Sequence, residues 1–137
     1  MKEDIIVKGI IFNRKLNKIL LVQRCEADEV GPNTWENAGG NIEAGETPEA
    51  AIRREIQEET GIAEVKIERV GYVTLVNSEK PYLIIAYLCD AVTDVVTLSK
   101  EHQAYIWADR EACMNMLPKA IIDDFVQNSI FEYIGIA

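Results

Sequence analysis

The sequence predicts an α+β or α/β/α fold, and three observations carry that expectation. Ile- and Val-rich stretches of strand length lie on both sides of one sharply bounded helix. A second helical region closes the chain. No repeat, low-complexity segment or linker interrupts the 137 residues, so residues 1–137 are expected to form one domain around one core. The order of elements leaves the topology open.

Ile5 to Asn13 reads as a strand buried on at least one face. The polar turn Asn13-Arg14-Lys15-Leu16-Asn17 leads into Lys18 to Gln23 (KILLVQ), a second strand and the hairpin partner of the first. Arg24 to Thr34 carries charge, Gly31 and Pro32, and reads as a loop. Trp35 to Ala38 is expected to be a short strand feeding a turn at Gly39-Gly40, where two missing side chains allow close approach of a ligand or metal. Trp35 fits a core anchor at the base of that loop, with a pocket wall as the alternative.

The helix is predicted over Pro48–Thr60. Thr47 is a good N-cap, Pro48 suits the first helical position, and Gly61 suits the C-terminal stop. Ile52 and Ile56 would anchor it in the core. Glu55, Glu58 and Glu59 stand at i, i+3 and i+4, three carboxylates within about one turn of one face. Each i,i+4 pair of like charges costs roughly 0.2–0.5 kcal/mol. Such an oxygen-rich cluster suits a hard divalent cation, Mg²⁺ or Mn²⁺; a solvated helix face is the plainer alternative.

Beyond the helix, Val65 to Val76 reads as one long strand or two broken near Gly71. Asn77 to Pro81 is a turn, and Tyr82 to Cys89 (YLIIAYLC) is a strand buried on both faces. Thr97 to Gln103 reads as a polar loop and Ala104 to Ala108 as a short strand. Asp109 to Met116 and Pro118 to about Tyr133 are predicted helices, the last partly amphipathic.

Gly40, Glu46, Arg54, Glu55, Ile56, Glu58, Glu59, Gly61 and Ile62 match every defined position of the pattern G-x5-E-x7-R-E-U-x-E-E-x-G-U, where U is aliphatic. The stretch therefore resembles the Nudix box. This resemblance implies the Nudix fold: a mixed sheet between helices, with the box as loop-helix-loop. It also implies a hydrolase of nucleoside diphosphates linked to another moiety, X, with a divalent cation at the site. On that reading Glu55, Glu58, Glu59 and the Gly39 carbonyl bind metal. Glu55 or Glu101 activates water, Arg54 orients the carboxylates, and Glu46 and Gly61 have structural roles. Gly40 and Arg24 would meet substrate. Ala38 stands where many Nudix relatives have proline, which removes a rigid φ restraint. A small (d)NTP, possibly damaged, is the expected substrate. Dinucleoside polyphosphates, ADP-ribose or nucleotide sugars, and a non-catalytic nucleotide-binding module are the alternatives.

A net charge of −9 argues against an extended contact with a nucleic-acid backbone. The single histidine, His102, has no histidine partner for zinc and reads as a loop residue. Cys25, Cys89 and Cys113 form no metal or redox motif and fit a reducing compartment. MKEDII lacks a signal-peptide pattern and no apolar run approaches 18 residues, so a cytoplasmic protein, monomer or homodimer, without membrane contact is expected.

Overall fold

The computed structural model describes residues 4–137. Met1–Glu3, on which the signal-peptide expectation partly falls, lie outside the described residues. The elements in order are β1 (Asp4–Asn13), β2 (Lys18–Arg24), β3 (Trp35–Glu36), β4 (Ala38–Asn41), α1 (Pro48–Thr60), β5 (Val65–Val76), β6 (Tyr82–Ala91), β7 (His102–Ala108), α2 (Arg110–Met116), α3 (Lys119–Gln127) and α4 (Ile130–Ile134).

The strands form one mixed sheet in the order β3-β2-β1-β6-β5. β1 lies at its centre. It runs parallel to β6 from Asp4↔Tyr82 to Phe12↔Asp90, and antiparallel to both β2 and β4. β7 returns to pair with β2, with Ile19↔Ala108 and Val22↔Tyr105 in register.

Alternation along each central strand sends neighbouring side chains to opposite faces. Val7 and Ile11 of β1 and Leu20 and Val22 of β2 pack with Ala51, Ile52 and Ile56 of α1. Ile10, Phe12, Ile19 and Leu21 pack on the opposite side with Phe125, Ile130, Phe131 and Ile134. Both faces are thus covered by helices, the α/β/α sandwich of the Nudix fold. α1 approaches β1 closely at Gly9, where an added Cβ would lie 3.0 Å from Ile56 Cδ1.

Several elements differ from expectation. Gly39-Gly40 is a strand, since Lys8↔Gly39 and Val7↔Gly40 pair in β1·β4, and Ala38 pairs with Gly9. Val65–Val76, as the first of its two sequence readings has it, is one strand, with shifts of register on either side of Arg69–Val70. At Gly71, Ile130 Cδ1 occupies the space a Cβ would crowd. Only the second half of β6 is buried on both faces; Tyr82–Ile85 is half-buried at the sheet end. β7 begins at His102, two residues early, because His102 pairs with Arg24 across an irregularity in β2. The last helix is broken at Ser129, which adopts a left-handed conformation with φ of 53°. Asn128 Nδ2 donates to the Asp124 carbonyl at 2.8 Å and closes α3. The break lets Phe125 and Phe131 meet edge to face, 5.6 Å between centroids, inside one core.

Among the described residues no helix is long and apolar enough to cross a membrane. The three cysteines are free thiols, Cys89 and Cys113 being buried.

Ile56→Ala removes a fully buried side chain between α1 and β1, so it should lower the unfolding free energy by about 2–5 kcal/mol. Leu75→Ala, at a side chain 49% exposed on β5, should cost under about 1 kcal/mol. The shift of the urea midpoint reads both. Equal losses would contradict the burial described.

Candidate active site

α1 is fixed at both ends. Thr47 Oγ1 accepts from the Ala50 N–H at 3.1 Å, and Gly61, with φ of 73°, donates its N–H to Gln57 O at 3.0 Å. Thr97 N–H and Ser99 N–H donate to the last helical carbonyls, Thr60 O at 2.8 Å and Glu59 O at 3.3 Å. This ties the segment that carries Glu101 to the end of α1. The Glu101 carboxyl stands beside that of Glu59.

The carboxylates of α1 fall into two environments. Glu59 is buried and Glu55 half-buried beside β4, whereas the Glu58 side chain is 58% exposed. Glu59 Oε1 accepts from the Gly39 N–H at 2.9 Å. The Glu55 carboxylate fills the space where Gly40 lacks a side chain; a Cβ there would lie 2.7 Å from Oε1. A Cβ on Gly39 would overlap the Val7 carbonyl. Both glycines are thus required by close approach. Burial, followed by the Glu101 carboxyl beside it, pushes Glu59 well above the ordinary carboxylate range. Burial raises Glu55 as well, against the pull of Arg54, with Glu58 and Glu101 adding to the rise.

Arg54 lies at the solvent side of this group. Its Nε and Nη2 grip Glu46 at 2.7 and 2.9 Å, a bidentate pair. Nη1 donates to Glu55 Oε1 at 2.9 Å and to Glu58 Oε2 at 3.2 Å. Nη2 also reaches the Asn41 carbonyl at 3.1 Å. Hydrogen bonds from Arg54, with a further one from the Glu43 N–H, hold the Glu46 carboxyl down at about 2.

Beyond Gly39 opens a cleft of about 710 Å³, lined among others by Lys8, Arg24, Glu36, Glu59, Glu101 and His102. Its floor is a polar network. Glu36 Oε1 meets Lys8 Nζ at 3.2 Å and Arg24 Nη1 at 3.4 Å, while Oε2 meets His102 Nε2 at 2.9 Å. Burial would raise the Glu36 carboxyl, but His102, Lys8 and Arg24 outweigh it and bring it to about 2. Asp28 Oδ2 stands 3.4 Å from Arg24 Nε. Ile6, Val30, Tyr82 and Ile84 give the cleft an apolar wall.

The structure gathers Gly39, Gly40, Glu59, Glu101 and Arg24 around this cleft, with Glu55 beneath Gly40 and Arg54 and Glu46 behind it. Glu58 points away, toward Arg54 and solvent. Gly61 caps the helix away from the cleft. His102 is a buried strand residue, not a loop residue. Trp35 packs against the core beneath α3 and α4, the anchor reading, and is not part of the cleft wall. Lys8 and Glu36 were not singled out from the sequence. A lysine within the apolar run of β1 was a usable signal; Glu36 offered none.

The depressed Glu36 carboxyl has a consequence in acid. A carboxyl at about 2 in the fold and 4.5 unfolded stabilises the fold above pH 4.5, and that contribution is lost as pH falls toward 2. Glu36→Gln should therefore flatten the decline of unfolding free energy between pH 4.5 and 2, measured by urea titrations. An unchanged slope would contradict the buried network.

A family model described as NUDIX domain matches residues 3–125. An 8-oxo-dGTP diphosphatase of Haemophilus influenzae is 32% identical over 109 residues, 78% of this chain and 76% of that protein. A nucleoside triphosphatase NudI of an Enterobacter species is 32% identical over 123 residues, covering 82% and 86% of the two chains. The crystal structure of a MutT protein from Methanosarcina mazei superposes with a TM-score of 0.78 at 27% identity, over 94% of this chain and 96% of that one. With a complete box set on a matching fold, the chain belongs to the NUDIX domain family and is a MutT-like Nudix pyrophosphohydrolase.

Proposed function

We propose that the protein hydrolyses a phosphoanhydride bond of a nucleoside triphosphate, of the ordinary or chemically modified (deoxy)nucleotide class, with Mg²⁺ or Mn²⁺ as cofactor. The observation that carries this reading is the convergence of half-buried Glu55 and buried Glu59 with Glu101 at the Gly39–Gly40 edge of a cleft whose floor holds Lys8 and Arg24. The relatives named as an 8-oxo-dGTP diphosphatase and a nucleoside triphosphatase support a triphosphate as substrate.

Among the described residues no three His, Cys, Asp or Glu side chains are gathered at metal-binding spacing. The fit to a divalent cation rests instead on donor chemistry. Glu59 is buried and Glu55 half-buried; both are raised by burial and by neighbouring carboxylates, and they offer only oxygen, the donor set of a hard cation. Glu55, Glu59 and the Gly39 carbonyl would hold the ion, with Glu58 at the outer side. When bound, it supplies charge neutralisation on the phosphates and a more acidic water.

The chain's own groups do the remainder. Arg54 holds Glu55 in one orientation through Nη1 while its other edge is locked on Glu46. Glu101 lines the cleft directly and would take the proton of the attacking water, while Glu55 lies against Gly40. Water oxygen bonds to phosphorus, the bridging oxygen leaves with the other phosphate fragment, and the proton goes to Glu101. Lys8 and Arg24 would meet the phosphate chain, and the apolar wall of Ile6, Val30, Tyr82 and Ile84 would meet the base.

Phosphate release from a panel of nucleoside triphosphates, dinucleoside polyphosphates and nucleotide sugars tests the reading. Triphosphates should be the preferred substrates, and EDTA should abolish the activity. Glu59→Gln should cut turnover by about 100-fold or more while the protein stays folded. Full activity in metal-free buffer, or a Glu59→Gln enzyme with normal turnover, would overturn it.

The role of Glu101 has its own readout. Glu101→Gln should lower kcat and remove the acidic limb of the pH–rate profile, with metal affinity held by the α1 carboxylates. If the variant is normal across the pH range and Glu55→Gln is not, water activation belongs to Glu55.

A further inference from the structure

Glu36 sits on β3, a two-residue strand held to β2 by the pairs Val22↔Glu36 and Gln23↔Trp35. Its side chain is 13% exposed. Lys8 and Arg24 approach the same carboxylate oxygen, Oε1, while His102 Nε2 braces Oε2. Side by side and unpaired, an ammonium and a guanidinium repel; a shared carboxylate removes that repulsion and sets their spacing. Neither cation is used up by this arrangement. Lys8 has three donors and places two, on Glu36 and on the Asn37 carbonyl at 3.3 Å. Arg24 places Nη1 on Glu36 and has Nε buried beside Asp28 Oδ2 at 3.4 Å, and among the described residues its Nη2 makes no hydrogen bond. Both residues line the cleft that contains Glu59 and Glu101.

We propose that Glu36 is a positioning residue that holds Lys8 and Arg24 together as one anion-binding pair for the polyphosphate chain of the substrate. This rests on the nucleotide-hydrolase reading for the identity of the substrate. It adds what the acidic side of the cleft lacks, since Glu55, Glu59 and Glu101 repel phosphate. Glu36 touches no substrate in this scheme. It sets the separation of two cations that line the cleft and leaves the spare Lys8 donor and the Arg24 Nη2 donors for phosphate oxygens. His102 serves the same end from behind, by holding the carboxylate in one rotamer.

The alternative is a network that only neutralises two half-buried cations, and the two differ in what they do to ligand binding. The test is calorimetric titration of inorganic tripolyphosphate into the metal-free protein, for wild type, Glu36→Gln, Lys8→Met and the double variant. Charge-assisted hydrogen bonds to phosphate are strong enough that Glu36→Gln should weaken tripolyphosphate binding about tenfold. KM for the nucleotide should rise by a similar factor, with kcat within about threefold of wild type. Because Glu36 acts through Lys8, the losses in the double variant should fall short of the product of the single losses. Glu36→Asp, which keeps the charge, should recover part of the affinity.

Wild-type affinity and KM in Glu36→Gln would overturn the proposal, as would losses that multiply fully in the double variant. So would a fall in kcat and melting temperature at unchanged KM. If Glu36→Gln does not fold, Lys8→Met and Arg24→Gln carry the test, and tripolyphosphate binding undiminished in both overturns it. A protein that shows these binding losses but hydrolyses no nucleotide keeps the anion-binding pair and sinks the hydrolase reading. One that hydrolyses nucleotides normally after Glu36→Gln does the reverse.

Discussion

The site is made of acid in an acidic chain, and the constraint that governs it is where each carboxylate finds its counter-charge. Arg54 answers this on the outer side of α1. Its guanidinium has five donors in a plane, and here they serve Glu46, Glu55, Glu58 and the Asn41 carbonyl at once. The loop after β4 is thereby bound to the helix eight residues further on. A lysine could not do this, because an ammonium offers no flat edge for the Glu46 carboxylate. On the inner side Glu59 has only the Gly39 N–H as a hydrogen-bond donor among the described residues. Glu59 is buried and Glu55 half-buried beside the Gly39-Gly40 edge, and burial raises the proton affinity of both, for Glu55 against the pull of Arg54.

The same division runs through the whole cleft. An acidic side built from α1 and the segment before β7 faces a floor in which Lys8 and Arg24 flank a buried carboxylate. On the proposed function, a cation bound to the first and a phosphate chain resting on the second would neutralise each other as well as the protein. The net charge of −9 is thus no obstacle to an anionic ligand, because the field that matters is local.

What the sequence revealed, and what it concealed, follows the range of the interactions. α1 was legible to the residue, because Thr47, Pro48 and Gly61 act on backbone groups within one turn of themselves. The strands were legible as apolar runs, since both faces of the central sheet are covered. Their order was not. The pairing of β7 with β2, and of Gly39-Gly40 with β1, joins segments whose partners no local pattern specifies. Ser129 hid the break between α3 and α4, because serine seldom marks a left-handed position. Glu101 stood out only by resemblance to the Nudix pattern. Glu36 could not be seen at all: its importance lies in Lys8, 28 residues before it, and His102, 66 residues after.

The return of β7 to β2 also bears on how the protein comes into being. Strands that are neighbours in sequence close early; β7 must find a partner laid down some eighty residues before it, and such distant closure is the slow part of folding. Glu101 enters the cleft with that strand, and the carbonyls at the end of α1 wait for Thr97 and Ser99 to cover them. A chain leaving the ribosome can therefore have its box helix wound, and its hairpin paired, while still lacking one wall of the cleft. The cleft is complete only once β7 has joined the sheet.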